Sequence, residues 1–496
     1  MKKNIISYLM AFIAVISFTS CADDFLDTTS TEDVPESEAV KTTVNMGILV
    51  NGMHRLMYTR QENNRRGGYP SMMGMFSWMG EDVVQNARAN NYWLGHVQWI
   101  NHRAADNLDL KHVWNIMYQL IANANIIVEG APDATGPQED NDSALGEALC
   151  YRAFAHYVLV QLYAERYVPG VVNSQGGVPL RIVSGTDDLA RSTVEEVYTQ
   201  INADLDQAIT LLDGYGRANP SHFDLSIAQG LKARVNLTQG NYTVAATNAA
   251  LARVDYDLMD STTYMQGIND FTADDWMWGA HYDEIQTSNF TNWGGFMSRN
   301  FSSNQLRGNP KSISSELYNT IPSSDVRKAI FSDDGTHPNL PAGVELLSSH
   351  NRFPFTHQKF LAAGNGDSRA DVPYMRVSEM YLIEAEALAR QGGQDAAAAA
   401  ALLPLAQARD ASYTLSANTG QALIDEIMLQ RRWELWGEGF RFFDLKRLNQ
   451  SMDRTGSTNH NEALILTLQV SAGDPRWQWS IPTDELNTNS LVKQNP

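Results

Sequence analysis

The sequence predicts a mainly α-helical fold: helices paired through short breaks, with long loops and small β elements laid on them. Three observations predict it. Apolar residues recur at steps of three and four in several long segments, and capping residues punctuate those segments. Two long stretches, 254–374 and 449–496, lack that period. At 496 residues the chain is long enough to bury a core without covalent staples, and its hydrophobic fraction of 43% is that of a globular protein.

At the start of the chain, Lys2 and Lys3 precede an apolar run from Ile5 to Phe18 that leads through small residues to Cys21, the layout of a secretory signal. The run falls short of the roughly 20 residues that a membrane-spanning helix needs. Residues 1–20 therefore read as a cleaved signal peptide. Small residues followed by cysteine resemble a bacterial lipoprotein signal, in which Cys21 becomes the first mature residue and the lipid attachment point. Phe18, three places before the cysteine, departs from the usual leucine. Residues 21–40 are acidic and rich in Ser and Thr, and read as a lipid-anchored flexible linker; the folded domain follows over 41–496. With Cys21 acylated, the second cysteine, Cys150, has no partner, and its place in "EALCYRAFAHYVLV" predicts a buried thiol.

The helices follow in order. "NLDLKHVWNIMYQLIANANIIVEG" (107–130) places Val113, Ile116, Met117, Leu120, Ile121 and Ala124 on one face and stops at Gly130. "SALGEALCYRAFAHYVLVQLYAERY" (143–167) is apolar on nearly every side and should lie between other helices. The segment 192–212 opens with Ser192 and has Glu195 three places on, the spacing of a reciprocal capping box. Residues 225–253 read as a helix, a Gly-Asn break and a second helix. "PYMRVSEMYLIEAEALARQGG" (373–393) begins with a proline and ends at a glycine pair, with Glu386 and Arg390 at helical spacing. "AAAAAALLPLAQARDAS" and "ALIDEIMLQRRWELWGEGFRFFDLKRL" complete the set. Helices joined by short breaks are how diverged tetratricopeptide-like helix pairs look. "WMW" (276–278) and "WQWSIP" (477–482) alternate in the manner of short strands.

A formal charge of −20 argues against nucleic acid and anionic lipid as partners. Removing residues 1–20 takes away two lysines and no acid, so the mature chain is more acidic still. No later apolar run reaches membrane-spanning length, which leaves the lipid anchor as the membrane contact.

Several blocks together resemble the SusD/RagB family of outer-membrane lipoproteins from Bacteroidetes. They are "SWMGEDVV" (77–84), "VWNIMYQLIANANIIVE" (113–129), "LGEALCYRAFAHYVLVQLYAERYVPGVV" (145–172), "STVEEVYTQINADLDQAITLL", "MRVSEMYLIEAEALAR" (375–390), "RRWELWGEGFRFFDLKRLN" (431–449) and "IPTDELNTNSLVKQNP" (481–496). They stand in the family's order across nearly the whole mature chain. Gln430 departs from the glutamate usual before the arginine pair. The resemblance implies a tetratricopeptide-like scaffold, here about 100–253 and 373–449, supporting a variable, loop-rich ligand-binding half, here about 60–106 and 254–372. It also implies a role: capture of a nutrient, mostly a glycan, at the cell exterior, as the lid of a SusC-like TonB-dependent transporter. Ala22-Asp23-Asp24 loosely resembles the family's surface-export signal.

The sequence carries no His-Glu-x-x-His, phosphate-cradling glycine loop or nucleophile elbow, and no cofactor or metal is expected. His96, His102 and His112 lack the close spacing of a zinc site. The acidic run 133–142 lacks the glycine and terminal glutamate of a calcium loop and reads as a solvated turn. Glu434 and Glu438 would share a helix face, yet Arg431, Arg441 and Arg447 crowd them, which suits a structural network better than a general acid. A sugar site needs flat aromatic platforms beside side chains that donate and accept hydrogen bonds. Two loops offer that mixture. In "QNARANNYWLGHVQWINHR" (85–103) the candidates are Asn91, Tyr92, Trp93, Trp99 and Asn101, a stretch that resembles the family's glycan-contacting loop. In "DDWMWGAHYDEIQTSNFTNWGGFMSRN" (274–300) they are Tyr282, Trp293 and Arg299. Trp114, Trp276, Trp278, Trp433 and Trp436 read as core. The leading expectation is an oligosaccharide-binding lipoprotein that performs no chemistry. Its rivals are the same importer role for a peptide or other nutrient, a helical glycoside hydrolase using carboxylates such as Asp82 and Asp275, and a pure helix-repeat scaffold.

Overall fold

The computed structural model describes residues 36–88, 92–284 and 289–496. The signal segment, Cys21 and the first part of the linker lie outside the described residues, as does Asn91. The longer helices are α1 (Thr43–Leu56), α2 (Gly68–Met79), α3 (Leu108–Gly130), α4 (Gln138–Tyr163), α5 (Val194–Leu211), α6 (Leu225–Gln239), α7 (Tyr242–Ala252), α8 (Val377–Gln391), α9 (Asp395–Arg409), α10 (Gly420–Glu434) and α11 (Arg441–Arg447). From α3 to α7 each helix packs on the next, and α8 joins directly on α7 although residues 253–376 intervene; α9 and α10 then pack on α8. The two predicted helical stretches are therefore one continuous array. Helix α4 sits at its centre, between α3 and α5 and beneath α1, and is buried on nearly every face, as its unbroken apolar composition predicts. Cys150 lies there as a buried thiol whose pKa burial pushes well up.

Local chemistry starts and stops these helices. Asn107 caps α3 by accepting the amides of Asp109 and Leu110, and Asp224 caps α6 by accepting that of Ile227. The capping box of α5 forms one residue later than predicted. Thr193 accepts the Glu196 amide at 3.1 Å, and Glu196 accepts the Thr193 amide at 2.7 Å. The shift arises because Arg191–Thr193 is strand β3, paired with β2 (Gly176–Pro179), so the chain stays extended through Ser192. Glu195 turns instead to the Asn173 amide and the Tyr167 hydroxyl. The C-terminal carbonyls of α4 meet Lys446, whose ammonium donates to the carbonyls of Gln161, Ala164 and Trp477.

The β elements are small. Strand β4 (Trp276–Ala280) pairs antiparallel with β8 (Val372–Arg376), Trp276 opposite Arg376 and Ala280 opposite Val372. This ladder closes the excursion of residues 281–371 at its base. The strand at 372–376 corrects the prediction of a helix from Pro373: the helix begins at Val377, and the preceding residues are buried against β4. In the remaining sheet, β1 (Val83–Gln85), β5 (Lys311–Ile313), β7 (Thr356–His357) and β6 (Phe331–Ser332) lie in that order, joining the 85 loop to the excursion. The expected strand at 477–482 does not form. Its amides donate singly to separate segments, Trp479 to Leu162 and Ser480 to His102.

A buried ion network ties the array to the excursion. Arg376, the last residue of β8, donates to Asp275 at 2.9 Å, to Glu434 at 3.0 Å and to Glu438 at 2.7 and 3.1 Å. Arg409 at the end of α9 grips Glu434 at 2.9 and 3.1 Å, and Lys359 in the excursion reaches Glu438 at 2.7 Å. Arg327 faces Glu434 at 3.5 Å, pairs with Asp325 and donates to Gln430, so the residue that departs from the family pattern keeps a hydrogen bond in place of an ion pair. Burial alone would raise the Glu434 carboxyl, but Arg409 and Arg376 outweigh it and hold the group well below the usual range. Glu434 and Glu438 are thus fixed as anions in a structural network.

Replacing Arg376 with alanine strands buried carboxylates and should cost about 3–5 kcal/mol in a urea melt. A loss below about 1 kcal/mol would mean that the network is dispensable. Acid should act in two stages. Burial depresses His112 to about 4 and His156 to about 3, so the fold needs them neutral while the unfolded chain takes up protons below its ordinary histidine pKa. Glu386 is held at about 2, because Arg447 and Arg390 overcome its burial, and its contribution is lost as pH falls from the unfolded carboxylate value toward 2. The thermal midpoint should be level near pH 7–8, fall below about pH 6.5 and fall more steeply below about pH 4.5. A midpoint level down to pH 4 would contradict this assignment.

Candidate functional site

The two aromatic loops do meet, over α2, but through interior rings. Trp93 is wholly buried, with its ring 4.7 Å from Trp78 and 5.0 Å from Phe296, and it lies so close to Gly74 that a Cβ there would stand 3.1 Å from it. Trp293 is likewise buried, edge-on to Phe360 at 5.1 Å. Trp99 packs on Trp477 at 4.7 Å and donates its indole N–H to the Met79 carbonyl. Tyr282 is buried edge-on to Tyr58, and Arg299 is buried while donating to His337 and the Asn351 carbonyl. These five offer no face to a ligand. They are corrected from contact residues to packing residues, because each loop folds its largest ring inward to cover α2 or the excursion core. Asn101 is half-buried beside Gly95.

Tyr92 remains at the surface and is half-buried. Its carbonyl accepts from Arg65 at 3.0 Å, and its hydroxyl is hydrogen-bonded by Asn64. Asn64 also accepts from the Thr291 hydroxyl at 3.3 Å, so the 58–67 loop between α1 and α2 bridges both predicted loops. The bridge demands small residues. A Cβ on Gly67 would fall 2.1 Å from the Thr291 carbonyl oxygen. Next to Thr291 stand two exposed residues, Asn289 and Phe290. Phe290 is 42% exposed and has φ of 74°, a left-handed conformation unusual for a bulky residue. Gly295 lies directly beneath, where a Cβ would come within 3.0 Å of the Phe290 Cα, and Phe301 supports the ring at 5.4 Å. Strain of this kind costs about 1–3 kcal/mol and persists where its surroundings hold it. Asn63, Asn64 and Arg65 thus join Tyr92, Asn289 and Phe290 in one patch of amides, a guanidinium and aromatic faces. The patch can stack on an apolar face and hydrogen-bond its polar edge.

Asn63, Asn64, Arg65 and Phe290 fall within the stretches 60–106 and 254–372 expected to bind ligand, but nothing in the sequence singles them out. Asn63 and Asn64 sit in "RQENNRRGG", which has no aromatic residue, and Phe290 stands between two asparagine-bearing turns three residues from the larger Trp293. The carboxylates of the hydrolase rival are separately engaged: Asp82 with Arg432 and Asp275 with Arg376. A cleft of about 320 Å³ opens at the end of α4, but its lysine, Lys446, is spent on three carbonyls. Histidine and carboxylate ligands of the kind that hold cations converge elsewhere, where His54, Glu147 and His222 meet in the helical scaffold. Among the described residues no helix is long and apolar enough to cross a membrane.

Comparison with known proteins decides the family. A model described as "Starch-binding associating with outer membrane" matches residues 24–237, and the SusD family model matches residues 341–496. This chain belongs to the SusD/RagB family. "SusD-like protein P2" of Formosa agariphila is 25% identical over 255 residues, 50% of this chain and 46% of that protein, so the chain spans about half the length of that relative. A SusD-like carbohydrate binding protein from Bacteroides vulgatus superposes with a TM-score of 0.79 at 23% identity, covering 91% of this chain and 97% of that one. Surface glycan-binding protein A from Bacteroides thetaiotaomicron, solved in complex with laminarihexaose, superposes with a TM-score of 0.69 at 16% identity over 92% and 99%. At these identities the superpositions establish the SusD-like fold, helical with small sheets.

The inward rings and the surface ring should separate cleanly under mutation. Trp93→Ala leaves a cavity against Trp78 and Phe296 and should cost about 3–5 kcal/mol in denaturant melts. Tyr92→Ala should cost about 1 kcal/mol. Equal costs would contradict the burial difference between the neighbours.

Proposed function

We propose that this chain is a cell-surface lipoprotein that binds an oligosaccharide without chemistry and delivers it to a SusC-like TonB-dependent transporter, for which it acts as the lid. The observation that carries the reading is the patch formed by Asn63, Asn64, Arg65, Tyr92, Asn289 and Phe290, whose aromatic faces and amides suit the apolar faces and hydroxyl edges of a sugar. Family membership and the structural neighbour solved in complex with laminarihexaose support the same ligand class. Cys21 would carry the lipids that hold the protein at the outer membrane, facing the exterior, and the acidic segment after it would let the lid swing.

The test is calorimetry on the soluble chain carrying Cys21→Ser, against laminarin oligosaccharides, malto-oligosaccharides and a wider glycan panel. At least one glycan should bind, and Tyr92→Ala, Asn64→Ala and Phe290→Ala should each weaken it about tenfold or more. Binding that all three variants leave unchanged would place the site elsewhere. Binding of peptides with no glycan on the panel would favour the other importer role. New reducing ends on incubation with a bound glycan would favour the hydrolase.

A further inference from the structure

His54, Glu147 and His222 come from three separate elements: α1, α4 and the loop between α5 and α6. His54 Nε2 lies 3.0 Å from Glu147 Oε2 and 3.0 Å from His222 Nδ1, and His222 Nδ1 lies 3.1 Å from Glu147 Oε1. The three side chains are 7%, 3% and 14% exposed. Hydrogen bonding can satisfy the carboxylate, each ring donating to its own oxygen, but it then leaves two N–H groups facing each other across 3.0 Å in a buried site. A single dication accepting all three lone pairs removes the conflict.

We propose that these three residues bind one Zn²⁺. Two imidazole nitrogens and a carboxylate are zinc's ordinary donors, and bonds of about 2.0–2.1 Å in a tetrahedron set ligand atoms about 3.3 Å apart, within a few tenths of an ångström of the gap between the two nitrogens and of each nitrogen's distance to its own carboxylate oxygen. The outer contacts are those a ligated trio needs. With Nε2 on the metal, His54 Nδ1 carries its proton and donates to the Tyr151 hydroxyl 2.6 Å away. Glu147 is oriented by the Phe223 amide at 3.0 Å and faced by the Tyr215 hydroxyl at 3.4 Å. Three protein ligands leave the fourth position to water on the side where His222 meets solvent. The site would clip α1 to α4. His54 lies one turn from the end of α1, where the chain leaves for the 58–67 loop, so the clip would also steady the base of that loop. The geometry belongs to the scaffold and stands whether or not the surface patch binds sugar.

The experiment is a calorimetric titration of the chelator-stripped chain carrying Cys21→Ser with ZnCl₂, paired with Co²⁺ absorption spectroscopy. Zinc should bind at one equivalent, raise the thermal midpoint by about 3 °C at a hundredfold excess over the dissociation constant, and compete with cobalt for a site that shows the visible bands of a tetrahedral ion. His222→Ala should weaken binding by about 100-fold or more. Tyr151→Phe, which removes one oxygen from the outer contact, should weaken it about tenfold and keeps the test open if His222→Ala misfolds. Asp142→Asn, in the exposed acidic run, should change nothing. Absence of saturable binding would overturn the proposal. So would equal affinity in the parent and both site variants, or loss of binding in Asp142→Asn.

Discussion

The structure turns on Arg376. This one guanidinium stands where β8 gives way to α8, and it holds a carboxylate from each neighbouring part: Asp275 at the start of β4, Glu434 at the end of α10 and Glu438 just beyond it. Arg409 and Lys359 extend the set to α9 and to the excursion. Taking so many charges out of water is costly unless each is paired, and here Arg327, Lys359, Arg376 and Arg409 meet Asp275, Asp325, Glu434 and Glu438. The balance leaves little freedom. A segment that moves must uncover a charge, so the network fixes the excursion on the array.

The array gains its continuity by the same device. Helix α8 packs on α7 as if the intervening residues were a loop, because the β4–β8 ladder brings both ends of the excursion to one place. The excursion can therefore vary without breaking the helical stack. Its outer loops meet the 58–67 loop above α2, and the proposed ligand patch draws there on three stretches that are distant in sequence. A fixed interior and a separately assembled surface follow from one arrangement. The large rings Trp93, Trp293 and Trp99 support the loops, and the smaller Tyr92 and Phe290 are left on the outside.

Much of this was legible in the sequence, for physical reasons that can be named. The α3 face and its stop at Gly130 follow from helical period, and the all-round burial of α4 follows from its lack of a polar face. The crowding of Glu434 and Glu438 by arginines anticipated a structural network, although the partners Arg376, Arg409 and Lys359 are contributed by other segments. The direction of an aromatic side chain was not legible. Trp93 and Tyr92 are adjacent in the same polar stretch, and only tertiary packing decides which ring turns inward. Residue size misleads here, since the larger ring has more to gain from burial. The triangle of His54, Glu147 and His222 was beyond reach for a simpler reason: its members are spread over 169 positions and share no local pattern.

The central claim, that a balanced charge network holds the excursion to the helical array, is tested most directly by hydrogen exchange on Glu438→Gln, which removes one charge and keeps the shape. Peptides covering β4, residues 356–376 and the end of α10 should lose protection together, while α4 and α5 keep theirs. Protection unchanged everywhere, or lost only at residue 438 and its chain neighbours, would contradict it.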